Sequence, residues 1–197
     1  MSNKTAKIIS SLFDPPVLAI IILFVSIIKS PMNQLETFFW SMSVVVLNGL
    51  IPLLFLFYFN KKGYIFDGKL DSTDTRRNRI PMLVIFLIAV TIEFLGLYFT
   101  RQYQPLMAVF TGGIISIALV IVITYYWKIS LHAAMITFFV MMGIYLFGWN
   151  LWPIILLIPI VMWSRLVLKR HTIWQLLAGM ILAFAVVTVT FVVYQII

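Results

Sequence analysis

The stretch Pro105–Trp127, PLMAVFTGGIISIALVIVITYYW, runs from end to end without an Asp, Glu, Lys or Arg. A transmembrane helix needs about 20 consecutive apolar residues, and this run supplies them. Its apolar residues are continuous rather than alternating, which excludes a membrane β-strand, where lipid-facing and lumen-facing positions alternate. Four similar runs flank it: Phe38–Phe59, Met82–Thr100 with one carboxylate (Glu93), Ile129–Trp149 with one histidine, and Ile173–Ile197. Two are marginal. Leu12–Ile28 is interrupted by Asp14, Pro15 and Pro16, and Leu151–Trp163 is short and carries Pro153 and Pro159. The sequence thus predicts an all-α, polytopic transmembrane helical bundle of about seven spans, the sixth short, tilted or kinked. Residues 1–197 form one integral membrane domain without a fixed-period repeat. The first run does not read as a signal peptide, because Lys29-Ser30-Pro31 follows it in place of a small-residue cleavage site.

Composition agrees. Of 197 residues, 63% are hydrophobic and 10% charged, and the mean hydropathy is +1.10. Soluble domains average about 45–50% apolar and about 25% charged residues, so this chain cannot cover a water-facing surface. The absence of cysteine excludes a disulfide framework, a thiolate metal site and a cysteine nucleophile. The net charge of +8 points, in a chain largely within lipid, to anionic lipid or a phosphate group and not to nucleic acid.

Seven spans define two faces. Twelve of the 14 Lys and Arg residues fall on one of them: Lys4, Lys7, Lys61, Lys62, Lys69, Arg76, Arg77, Arg79, Lys128, Arg165, Lys169 and Arg170, against Lys29 and Arg101 on the other. The positive-inside rule assigns the basic face to the cytoplasm, as in a multi-pass protein of a plasma (inner) membrane.

Ionisable groups at membrane depth are functional candidates. His132 follows Lys128 by the residues of one helical turn, and His171 opens the last span; these are the chain's two histidines, and both fall on the basic face. Arg165, Ser130 and the Asp71–Arg79 loop arrive there as well. A single histidine near a span end is ordinarily an interfacial residue, and loop cations are ordinarily topology signals. Two histidines and an arginine from separate segments at one end form a different pattern. Arginine forks match phosphate oxygens in pairs. One histidine can attack phosphorus while a second protonates the leaving oxygen. Arginines neutralise the charge developing on the phosphoryl oxygens without any metal.

The residues around these groups resemble the signatures of the type 2 phosphatidic acid phosphatase superfamily. Ser164-Arg165, five residues, His171, three residues and Gln175 match the third signature in spacing, with Gln175 where the family has Asp. Ile129-Ser130-Leu131-His132 keeps Ser and His of the second signature, Pro-Ser-Gly-His. Lys69 and Arg76 have the spacing of the first, Lys, six residues, Arg-Pro, with Arg77 in place of Pro; Arg79-Ile80-Pro81 is a shifted alternative. The resemblance implies a lipid phosphatase that needs no metal or other cofactor and acts on a phosphate mono- or diphosphate ester. His171 is then the nucleophile and His132 the general acid. Arg165, Lys69, Arg76 or Arg79, Lys128 and Ser130 hold the phosphate. If the helix has begun by His171, Gln175 shares its face at i+4, and its amide oxygen can accept the bond that the family's Asp accepts. It supplies no negative charge, which weakens the nucleophile; in serine proteases an amide in place of the orienting Asp costs about 10⁴ in rate. Asp71 or Asp74 are candidates to take over that charge.

Other readings use other residues. Asp67, Asp71 and Asp74 suggest magnesium-dependent chemistry on isoprenoid diphosphates, but no second aspartate-rich loop exists, and Thr75 stands where CDP-alcohol transferases require glycine. A lipid-phosphate binding or transport protein with weakened chemistry remains open, as does a channel in which Glu93 and Asn48 line a polar path or simply bond between helices. Partners implied are membrane lipids and a lipid phosphate, without nucleic acid; neither headgroup nor oligomeric state is legible.

Overall fold

The structure, a computed structural model, describes residues 3–61, 79–100 and 103–195, apart from the side chains of residues 59–61. It is helical throughout, with no strand among the described residues. Helix α1 (Asn3–Leu12) stops at Phe13, and α2 (Pro15–Lys29) starts afresh behind Asp14, with prolines in its first turn. Proline suits that position because its missing N–H has no intrahelical partner there. Pro31 ends α2, holding Ser30 extended at φ −79°, ψ 143°. An Asn33–Glu36 capping box launches α3 (Gln34–Val44), which widens into a π-helical stretch over Val45–Leu50 before continuing as α4 (Ile51–Lys61). Pro52 accounts for the widening: it lacks an N–H, and its ring presses on the carbonyl four residues back, that of Asn48.

Then follow α5 (Ile80–Thr100), α6 (Gln104–Tyr126), α7 (Leu131–Phe147), a 3-10 stretch over Trp149–Leu156 leading into α8 (Leu157–Val167), and α9 (Ile173–Val193). Six helical runs are long and apolar enough to cross a membrane, and α7 is a shorter apolar helix. The short member is therefore the fifth crossing, not the sixth as Leu151–Trp163 implied. Gly148, at φ +89°, stops α7 at Phe147, a conformation that suits glycine. The sixth crossing continues past Trp163 to Val167 because Arg165 lies within the helix. The first crossing also starts earlier than expected, at Asn3, and breaks at Asp14.

Ile27, Leu97, Leu106, Phe110 and Phe191, among the largest buried side chains, belong to one core cluster. Exposed apolar residues such as Phe57, Phe99, Ile181 and Val193 ring the outside. An apolar exterior has its favourable surroundings in hydrocarbon, and this is an integral membrane protein. Packing is closest between α7 and α9 and between α5 and α6, while α1 lies along α8.

Candidate active site

The start of α9 builds one half of the site. Thr172 is extended (φ −83°, ψ 162°) and caps the helix: the Gln175 N–H donates to Thr172 Oγ1 at 3.4 Å, and the Thr172 N–H donates to Gln175 Oε1 at 3.2 Å. This reciprocal capping box satisfies two otherwise unpartnered donors. It also turns the amide oxygen, an acceptor, toward His171, whose Nδ1 lies 3.1 Å away. Nδ1 must then carry the proton, leaving the lone pair on Nε2. The pairing arises from the cap and not from helical i+4 register, because the helix begins only at Ile173.

His171 is buried, and burial pushes its pKa down to about 3, with Arg165 adding to the effect, then Lys128 and Arg79, against the opposing pull of the Gln175 hydrogen bond. An imidazole surrounded by guanidiniums and removed from water disfavours a second positive charge. At neutral pH His171 is uncharged, the form in which a ring nitrogen can attack.

His132 is the second residue of α7. Lys128 precedes the Ser130 cap and lies outside the helix, so the two are not one turn apart on a common helix as their spacing implied. His132 Nε2 meets the N-terminal segment: it is 3.3 Å from the Ser10 carbonyl oxygen, 3.5 Å from Ser10 Oγ and 3.5 Å from Asp14 Oδ1. Arg165 Nη1 donates to the same Ser10 Oγ at 2.5 Å, and Arg165 Nε is buried without a hydrogen-bond partner. Neither Ser10 nor Asp14 was among the residues expected from the sequence. Asp14 does carry a signal in the sequence, a carboxylate inside an apolar run.

Ser130 has a structural place at the start of α7. It is fully buried, its Oγ accepts the Ala133 N–H at 3.3 Å, and its own N–H donates to the Gln175 carbonyl at 3.2 Å. That last bond ties the start of α7 to the start of α9. Gly179 permits the approach, since a Cβ there would stand 2.6 Å from the Ser130 carbonyl oxygen and 3.2 Å from the Ala134 nitrogen.

A cavity of about 550 Å³ opens between these elements. Asp14, Arg79, His132, Arg165 and His171 line it together with Asn48 and apolar residues such as Leu23, Phe86, Val90, Val109, Phe138 and Ala183. Lys128 is near enough to act on His171 electrostatically but is not part of the lining. Lys69 and Arg76, like Asp67, Asp71, Asp74 and Arg77, lie outside the described residues; of the first-signature candidates, Arg79 lines the cavity. Glu93 does not. It accepts from Asn48 Nδ2 at 2.7 Å and from Ser43 Oγ at 3.2 Å, a bond between helices.

Residues 129–196 match the model of the PAP2 superfamily, whose members are generally phosphatases. The matched segment contains Ser130, His132, Arg165, His171 and Gln175 and agrees with the resemblance of the second and third signatures; Arg79 and the N-terminal segment precede it. No curated protein and no solved structure matches the chain.

Proposed function

We propose that this chain, with its PAP2 superfamily segment, is a metal-independent membrane phosphatase that hydrolyses a lipid phosphate or diphosphate through a phosphohistidine on His171. One observation carries the reading: His132, His171, Arg165 and Arg79 line one cavity whose remaining lining is largely apolar. His171 Nε2 attacks phosphorus as the P–O bond to the lipid breaks, and Gln175 Oε1 holds the Nδ1 proton throughout. Arg165 and Arg79 offset the charge on the phosphoryl oxygens. His132 gives its proton to the departing lipid oxygen, then takes one from the water that attacks the phosphohistidine and releases phosphate.

A lipid substrate follows from the lining. Guanidiniums and imidazoles suit the phosphate, and the apolar remainder suits a hydrocarbon chain. Phosphatidate, phosphatidylglycerophosphate and polyprenyl diphosphate are the classes to test. The site faces the cytoplasm of a plasma (inner) membrane, by the excess of Lys and Arg at that end.

The test is phosphate release from those three lipids by detergent-solubilised protein with chelator present. Release by the wild type and its loss in His171→Ala are expected. Full release by His171→Ala would end the mechanism, and a strict magnesium requirement would transfer the chemistry to the aspartates of the 62–78 segment. Orientation is tested by a single cysteine placed near Lys61, which should resist labelling from outside intact cells. A second reading, a lipid-phosphate binder without turnover, draws on Gln175, whose amide lacks the charge of the family's Asp; retention of lipid phosphate without release would favour it.

A further inference from the structure

Gln175 stands beside His171 where the family's signature has a carboxylate, yet the cavity has one elsewhere. Among the described residues, Asp14 is the one carboxylate that lines the cavity, and it stands beside the other histidine. Its Oδ1 lies 3.5 Å from His132 Nε2, and Arg165 is close enough to act on it electrostatically. Its placement is built into the fold. Ala6 and Ser10 are buried on one side of α1, which lies along α8. The chain then breaks at Phe13, and Pro15 and Pro16 restart the helix directly after Asp14. The carboxylate is thereby held at a helix junction on the wall of the cavity that both histidines line.

We propose that Asp14 is the positioning residue of His132 in the phosphatase reaction. The proposal rests on the phosphatase reading of this cavity. The Ser10 carbonyl and the Asp14 carboxylate can both only accept hydrogen bonds, so His132 Nε2 presents its N–H to them. This leaves Nδ1 as the nitrogen that passes a proton. In the first step the Nδ1 proton moves to the lipid oxygen as the P–O bond breaks and the His171 N–P bond forms. In the second, Nδ1 receives a proton from the attacking water as the N–P bond breaks. The mechanism requires His132 to be cationic before the first step and after the second, in a site that already holds Arg165 and Arg79. The charge of Asp14 offsets that cation and orients its ring. In this chain the carboxylate thus supports the general acid and not the nucleophile.

A general acid matters in proportion to the difficulty of the leaving group. The full-length protein carrying Asp14→Asn or Asp14→Glu is assayed on a long-chain alkyl phosphate, whose alkoxide needs protonation, and on p-nitrophenyl phosphate, whose leaving group departs unaided. Asp14→Asn should lower the rate of the first step on the alkyl ester by about 10²-fold, with KM nearly unchanged, and slow the pre-steady-state burst of p-nitrophenolate, which reports the same step with a good leaving group, far less. Asp14→Glu, which keeps the charge, should retain most of the alkyl-ester rate. Equal losses in the first step on both esters, no loss on the alkyl ester, or a Glu variant as slow as the Asn variant would each overturn the proposal. Wild-type protein that releases no phosphate from either ester, or His171→Ala that releases it at the wild-type rate, would instead bring down the phosphatase reading, and this proposal with it.

Discussion

His171 and His132 line the same cavity but draw their support from very different distances along the chain. Everything that fixes the His171 tautomer lies within four residues: Thr172 caps α9, and Gln175 accepts from both the Thr172 N–H and the ring. His132 leans on Ser10, 122 residues away, and on Asp14 beyond the α1–α2 break. The first arrangement is electrically neutral and assembled by a helix cap; the second carries a carboxylate and exists only when α1 packs along α8. The setting of His171 therefore forms with its own helix, whereas that of His132 depends on tertiary assembly.

Removing each histidine tests that contrast most severely. His171→Ala should reduce phosphate release by about 10⁴-fold or more on every ester, since no covalent intermediate can form. His132→Ala should cost about 10²–10⁴-fold in the first step on alkyl esters and much less in the burst of p-nitrophenolate from p-nitrophenyl phosphate. An equal loss of the burst, measured by rapid mixing, would erase the assigned division of labour.

Gly179→Val addresses the joint between the two halves. Its Cβ would collide with the Ser130 carbonyl, and forcing α7 from α9 should destabilise the protein by about 1–3 kcal/mol and lower kcat by roughly 10²-fold as the histidines lose register. Thermal unfolding and kinetics together check this; wild-type kcat in a destabilised variant would show that the interhelical spacing does not set the chemistry.

Thr172→Ala is milder and confined to the His171 half. Loss of the cap should cost about 1 kcal/mol and lower kcat several-fold by freeing the Gln175 amide, with the alkyl to p-nitrophenyl rate ratio unchanged. A changed ratio would mean that the cap also acts on His132.

The smallest effect concerns pH. His171 holds a folded-state pKa of about 3 against about 6.5 when unfolded. Between these values the unfolded chain binds the extra proton, so this contribution to stability is fully present above about pH 6.5 and declines as pH falls toward 3. The Tm of the wild type should fall over that window more steeply than that of His171→Asn; parallel curves would show that His171 is not held neutral. Gln175→Glu adds a charge facing Nδ1, among Arg165, Lys128 and Arg79, and should move the acid limb of kcat/KM to higher pH.

Much of this architecture was readable in advance. Continuous apolar runs such as Pro105–Trp127 identify membrane helices because backbone N–H and C=O groups must pair internally in hydrocarbon. The spacing from Arg165 through His171 to Gln175 singled out one end of the bundle. Errors arose where local backbone geometry intervened. Gly148 shortened the fifth crossing, and the Thr172 cap delayed α9 past His171. Periodicity carries little information about such caps, which depend on single φ/ψ values.

Hydropathy and charge order were enough to establish a membrane bundle with a basic end, because burial in lipid and the placement of Lys and Arg act on each residue largely regardless of its distant neighbours. The partnership of Asp14 and Ser10 with His132, the 2.6 Å clearance at Gly179 and the apolar cavity behind the two histidines came only with packing. Each depends on how closely helices from distant parts of the chain approach one another, and no local pattern encodes that distance.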